Sequence, residues 1–188
     1  MIAGPLATPR LALVPVTAAH GDAIWRATEA SLGELKPWMP WAEDASPAAQ
    51  ADFAAGAERA WQTSEGWPFA VTYEDEVCGV IGIDDPDRLY SRAEIGYWIR
   101  SDLTGRGLVT EAASAVIGFA FDELGFHRLE LHAAPGNHAS RRVAEKLGFQ
   151  EEGLLRDGCR GSGGFHDAIV YGLLATDPRP RFHLPGPD

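Results

Sequence analysis

The sequence predicts an α/β fold: one domain with a central mixed β-sheet of about seven strands, flanked on both faces by about four helices. Three observations lead there. The 188 residues match the usual size of a single domain. Short strand-like runs alternate with helix-like runs along most of the chain. The strongest helical stretch, 108–124, sets Leu108, Ala112, Ala115, Val116 and Phe119 on one face at helical spacing, as a helix lying on a sheet requires.

Residues 10–16 alternate well enough to open the sheet. Residues 20–31 and 47–64 are alanine-rich and helical, joined by a loop carrying Pro37, Trp38, Pro40 and Trp41. Residues 69–73 and 77–83 are strands on either side of the acidic turn Glu74-Asp75-Glu76. Another strand follows at 94–100, then the long helix, then a strand at 128–133. Residues 137–147 form a second clear helix, with Gly148 as its left-handed cap. The last two strands, 149–156 and 165–174, are separated by a glycine-rich loop. The domain is therefore set at 8–175, and the proline-rich stretch 176–188 reads as an extended tail.

Composition narrows the function. A domain this long buries enough surface to need no metal or disulfide staple. No apolar run approaches the ~20 residues that cross a bilayer, and the first nine residues lack the pattern of a secretory signal. The two cysteines, Cys78 and Cys159, have no metal or redox spacing, so a reducing cytoplasm is the expected location. Sixteen Lys and Arg stand against 27 Asp and Glu, a net charge of −11 that argues against nucleic acid as partner. The balance suits a cationic substrate, although acidic surfaces also serve solubility. The histidines suggest no metal site: His127 and His132 lie on opposite faces of their strand, and His138 and His166 read as solvent-side or packing residues.

The chemistry concentrates at Thr104-Gly105-Arg106-Gly107-Leu108-Val109-Thr110, between a strand and the strongest helix. Two glycines let the backbone turn with its amides inward. The helix start adds unpaired N–H groups and a partial positive charge, so the segment is built for a phosphate or diphosphate, with Arg106 as an added donor. No Gly-Lys-Ser/Thr triplet is present, and the third glycine of a dinucleotide fingerprint is replaced by Thr110.

About thirty residues on comes the run from Asn137 through Ser140 to Lys146-Leu147-Gly148-Phe149. With Ala93-Glu94-Ile95-Gly96-Tyr97-Trp98-Ile99, the Gly105-x-Gly107 loop, Thr110-Glu111-Ala112 and the late Phe165-His166-Asp167, this pattern resembles the GNAT superfamily of acetyl-CoA-dependent N-acetyltransferases. Within it, the chain resembles the Rim-type branch, which includes enzymes that acetylate the N-terminal amine of ribosomal proteins.

The resemblance implies a splayed sheet, in which the strand carrying Trp98 and Ile99 parts from the following parallel strand near Leu131. It implies acetyl-CoA as cosubstrate, with pantetheine in that gap and the diphosphate on the 104–111 segment: Thr104, Gly105, Arg106, Gly107, Leu108, Val109, Thr110 and Glu111. The family's loop usually opens on Gln or Arg and carries a small residue where Val109 stands. Thr104 and Val109 therefore imply weaker side-chain help. The oxyanion would rest on a backbone N–H near Trp98 or Ile99.

The implied reaction is direct attack of a neutral amine on the thioester. A lysine near pKa ~10.4 is about 0.04% neutral at pH 7, while an α-amine near ~7.8 is about 14% neutral, so an α-amine needs only a modest base. Glu94 is the first candidate base, with Asp84 and Asp85 as weaker ones. Ser140 is the candidate acid for the leaving thiolate, and Tyr97 an alternative or an acceptor-side residue. Asn137 caps its helix, and the resemblance adds a bond to pantetheine or water. Trp38, Met39 and Trp41 would wall the acceptor pocket, and Cys159 could face it. The expected partner is a peptide or small-molecule amine, with no nucleic acid, membrane or metal, on a monomer or homodimer. Two alternatives stay open: a non-catalytic acyl-CoA-binding module, and a detoxifying acetyltransferase of a cationic antibiotic or polyamine.

Overall fold

The computed structural model describes residues 4–179, so positions 180–188 of the expected tail lie outside the described residues. The chain opens with a short strand β1 (Leu6–Ala7) and β2 (Leu11–Pro15). Helices α1 (Gly21–Glu29), α2 (Leu32–Leu35) and α3 (Pro47–Thr63) follow. Three antiparallel strands come next: β3 (Phe69–Tyr73), β4 (Glu76–Asp87) and β5 (Arg92–Ile99). Helix α4 (Leu108–Gly118), β6 (Arg128–Ala133), α5 (His138–Lys146), β7 (Gln150–Gly161) and β8 (Gly164–Leu174) complete the order.

All eight strands belong to one sheet, ordered β1-β2-β3-β4-β5-β6-β8-β7. Every neighbouring pair is antiparallel except β5–β6, which is parallel. The mixed α/β sheet is as the sequence indicates, with one more strand and one more helix than expected: the two-residue β1 and the one-turn α2 are too short to show a period.

Local chemistry fixes the element ends. Glu74 and Asp75 both take positive φ, 50° and 64°, which is the tight turn a two-residue hairpin needs. Ser46 caps α3, its hydroxyl accepting the Ala49 N–H at 3.1 Å, and Pro47 holds the first helical position. Gly148 ends the last helix at φ 85°. The stretch 108–124 is one helical rod whose final turn, Phe119–Glu123, widens to a π-turn.

Two expectations need correction. The glycine-rich loop before the last strand is a hairpin, because β7 runs on to Gly161 and β8 starts at Gly164. Strand β4 likewise continues past Ile83 to Asp87 through a bulge where Asp85 sits at φ 48°.

Helices α1 and α3 cover one face of the sheet, where Ile24, Ala54 and Ala57 pack on Val16, Ala70 and Val80. Helix α4 covers the other, its Leu108, Ala112, Ala113 and Val116 buried against the main core with Leu13, Ile81 and Ile95. Helix α4 thereby backs β5 from one face, and β5 is the strand from which the site is built.

Candidate active site

The parallel pairing of β5 with β6 lasts only three residues, Arg92 to Glu94 against Arg128 to Glu130. Beyond it β5 stays with β4 as far as Ile99, and β6 stays with β8 as far as Ala133. The two strands therefore part, and the backbone edges facing each other lose their partners. This is the splay, and it lies beside Leu131 where it was expected.

The loop after β5 leads to the second feature. Gly105 and Gly107 take φ 75° and 77°, and a Cβ at Gly105 would meet nothing within 4 Å. Gly107 is the N-cap of α4, and the first helical bond runs from Glu111 N–H to the Gly107 carbonyl at 3.0 Å. The amides of Leu108, Val109 and Thr110 precede that bond. These three, with the glycine backbone, form an open cradle for an anion.

Side chains of the loop differ in use. Leu108 and Thr110 are buried, so only their backbone reaches the cradle. The Thr104 hydroxyl is spent on the Ser101 carbonyl at 2.8 Å. Arg106 is exposed and half a turn from the helix. Glu111 does not match its expected use: its amide is bonded within the helix, and its buried carboxylate faces Thr8 and Arg10.

A cleft of about 630 Å³ opens along the splay. Trp38, Met39 and Trp41 line one wall, and Trp41 lies 5.8 Å from Trp98 between ring centres. Glu94, Gly96 and Trp98 share one face of β5. In the sheet register Glu94 lies across from Asp84 on one side and Glu130 on the other. His132, two residues along β6, stands with Nδ1 3.6 Å from Glu94 Oε2 and Nε2 3.5 Å from Glu130 Oε2.

This acidic group is not evenly compensated. Glu130 receives Arg128 Nε at 2.9 Å and lies 3.7 Å from Arg92. Among these carboxylates, Glu94 has the His132 imidazole as its near basic neighbour, without an arginine of its own among the described ion pairs. Burial pushes the Glu94 carboxyl above its ordinary range; His132 draws it back, while Asp85, Asp84 and Glu130 push it further up. Asp84 is exposed at the cleft, where desolvation of its carboxyl by the surrounding walls, helped by Asp85, pushes it up to about 6.

Across the gap, the Tyr97 phenol lies 3.0 Å from the Ser140 hydroxyl. Asn137 caps α5 by accepting the Ser140 N–H at 3.1 Å, which leaves its amide NH2 free toward the cleft. Burial pushes the Tyr97 phenol up to about 12. Ile99 is buried in the core, so its part at the gap is its backbone. Cys159 lines the far wall of the cleft, its thiol near the Asp167 carbonyl at 3.3 Å.

The structure thus brings Glu94, Ser140, Tyr97, Asn137, Trp98 and the tryptophan loop to one cleft. Sequence alone weighs His132 only as a metal ligand, because its approach to Glu94 depends on the register between β5 and β6, which is not a local fact. Among the described residues no group of His, Cys, Asp and Glu has the arrangement of a metal site. No helix there is long and apolar enough to cross a membrane.

Residues 10–150 match the acetyltransferase (GNAT) domain family. The Bacillus subtilis protein YdaF, provisionally named a ribosomal N-acetyltransferase, is 39% identical over 119 residues, covering 63% of this chain and 65% of its own. The Escherichia coli ribosomal-protein-serine acetyltransferase is 30% identical over 106 residues, 56% of this chain and 59% of its own. The chain spans less than two thirds of the length of either. Mycobacterium smegmatis RimJ in complex with CoA-disulfide superposes with a TM-score of 0.83 at 28% identity, covering 92% of this chain and 86% of that one. RimL in complex with coenzyme A shares the fold at a TM-score of 0.85 and 20% identity, over 90% of this chain and 97% of its own. The matched span takes in the cradle, the splay and the Glu94 carboxylate, and the chain belongs to the GNAT acetyltransferase family.

Proposed function

We propose that this protein transfers an acetyl group from acetyl-CoA to a primary amine, either a protein N-terminal α-amine or a small amine. The observation that carries the reading is the end of the β5–β6 pairing at Glu94 and Glu130, in the same strand whose following loop forms the glycine cradle. An open cradle with three free amides suits a diphosphate, and the unpaired strand edge suits the amides of a pantetheine arm. Acetyl-CoA, when bound, supplies the acetyl thioester.

The chain's own residues then divide the work. The amides of Leu108 to Thr110 and the Gly105–Gly107 backbone hold the diphosphate, with Arg106 at its rim. The free edge at Tyr97 and Ile99 and the Asn137 amide orient the arm. Glu94 lies on the acceptor side of β5 and receives the amine proton through water. Ser140, paired with Tyr97, offers a proton toward the sulfur side. Trp38, Met39 and Trp41 shape an apolar wall for the residue that follows the amine. The relatives named for ribosomal proteins favour a peptide acceptor.

The test is acetyl-CoA-dependent thiol release with a panel of serine- and alanine-led peptides, aminoglycosides and polyamines, followed by mass spectrometry of the products. A peptide with a free N-terminus is expected to accelerate release and to gain one acetyl group, while its N-blocked form does not. If coenzyme A binds and no amine accelerates release, the transferase reading fails and a binding module remains.

A further inference from the structure

The buried carboxylate of Glu111 has no part in the transfer described above, and it stands in the first turn of α4, at the helix end that faces the diphosphate cradle. A carboxylate there complements the helix dipole but opposes an anionic ligand bound at the same end. Its side chain is only 9% exposed, so water does little to screen it.

One cation meets that charge. Arg10 Nε donates to Glu111 Oε2 at 2.7 Å, and Nη2 lies 2.6 Å from the same oxygen. The other oxygen accepts the Arg10 backbone N–H at 3.0 Å and the Thr8 hydroxyl at 2.6 Å. Burial works to raise the Glu111 carboxyl, yet these donors hold it below its usual range. The same guanidinium reaches into the cradle loop, where Nη1 donates to the Arg106 carbonyl at 3.1 Å. Nη2 lies 3.8 Å from the point where a side chain at Gly107 would begin. The turn between β1 and β2 thereby braces a loop about a hundred residues away.

We propose that Arg10 is a coenzyme-affinity residue: it fixes the 104–108 loop through the Arg106 carbonyl, and it neutralises the Glu111 carboxylate that would otherwise repel the diphosphate. The proposal rests on the transferase reading, since it concerns the same anion site. It predicts a signature that a bracing role alone lacks. Removing the cation leaves a buried, uncompensated anion beside the site, and removing that anion as well relieves the repulsion.

The experiment is calorimetric titration of coenzyme A into the full chain, with far-UV circular dichroism and thermal melting of each ligand-free variant. Arg10→Gln is expected to weaken coenzyme A binding about tenfold or more. The double variant Arg10→Gln with Glu111→Gln is expected to recover to within about threefold of the original chain, because both charges are gone. Arg10→Lys keeps the charge beside Glu111 without the fork to the Arg106 carbonyl, and a loss of about threefold is expected. It carries the test if Arg10→Gln does not fold. Affinity unchanged in every Arg10 variant that folds overturns the proposal, and a double variant as weak as Arg10→Gln overturns the charge role. An original chain that binds no coenzyme A removes the transferase reading and this one together; one that binds normally beside an unaffected Arg10 variant removes this one alone.

Discussion

The Tyr97 phenol and the Ser140 hydroxyl are 3.0 Å apart, although 43 residues separate them. Tyr97 stands on β5 at the splay, and Ser140 lies in the first turn of α5, held there by the Asn137 cap. Burial keeps the phenol protonated across the working pH range, so either hydroxyl can donate within the pair, and with the phenol donating the Ser140 proton is left to point into the cleft. Ser140→Ala is therefore expected to lower turnover about 10–100-fold with coenzyme A affinity nearly unchanged. Tyr97→Phe should cost less, and the double variant no more than Ser140→Ala, because the phenol acts through the serine. Steady-state kinetics with the best acceptor checks this; full turnover in Ser140→Ala would strip the pair of its assigned role.

Glu94 gives a pH prediction with a definite sign. Burial raises its carboxyl above the ordinary ~4.3, so the basic form gathers only at higher pH, and kcat/KM should fall on the acid side above that value. Glu94→Gln removes this acid limb and lowers kcat/KM about 100-fold, leaving the amine's own ionisation to shape the profile. His132→Gln removes the neighbour that holds the carboxyl down, so the limb should move to higher pH. Profiles from pH 5 to 9 decide the matter: a limb that stays in place in Glu94→Gln excludes Glu94 as the base.

Gly107 joins the cradle to the helix at φ 77°, and its missing side chain leaves the approach to the amides clear. Gly107→Asp adds both backbone strain and a negative charge at the anion's position. Binding of coenzyme A should drop below detection while the melting temperature falls by only a few degrees, on the order of 1 kcal/mol. Undiminished affinity in this variant would move the diphosphate away from the loop.

How much of this was legible in sequence depended on whether a feature is local. The helices α4 and α5 announce themselves through apolar spacing and through caps at Asn137 and Gly148, and the glycine cradle needs only its own residues. Register is a different matter. That Glu94 lies between Asp84 and Glu130, and so reaches His132, follows from pairing between three strands that no single segment encodes. Sequence alone offers Glu111 only for its amide, because the partner that claims its carboxylate, Arg10, sits about a hundred residues away. Strand β7 is exposed along nearly its whole length, so no alternation marks where it continues, and its glycines read as a loop.

Asp84 couples the site to stability. Its carboxyl rises from 3.8 to about 6 on folding, so the folded state binds more protons than the unfolded state between those values. Stability contributed by this group is thus full below pH 4 and is lost as pH rises through about 6. Asp84→Asn should raise the melting temperature at pH 8 and change it little at pH 4. Solvent in the cleft screens the group, which limits the gain to about 1 kcal/mol, or roughly 2–4 °C. Melting curves at the two pH values test this, and an equal shift at both would assign the effect to packing instead.

Gly161 links the hairpin tip to the tryptophan loop. A Cβ there would overlap the Pro37 carbonyl, and next to it the Ser162 N–H donates to the Lys36 carbonyl at 2.9 Å. The loop held this way carries Trp38, whose ring lies 3.6 Å from the point where a side chain at Gly136 would start, just before the Asn137 cap. Gly161→Ala must push the hairpin off the loop, at a cost of about 1–3 kcal/mol. If this loop is the acceptor wall proposed above, with the cradle lying elsewhere, the acceptor KM should rise several-fold while coenzyme A affinity holds. Gly153→Ala, in the same strand with open space around it, is the control and should change neither. A Gly161→Ala protein with the original acceptor KM would mean that the hairpin and the tryptophan loop do not set the acceptor pocket together.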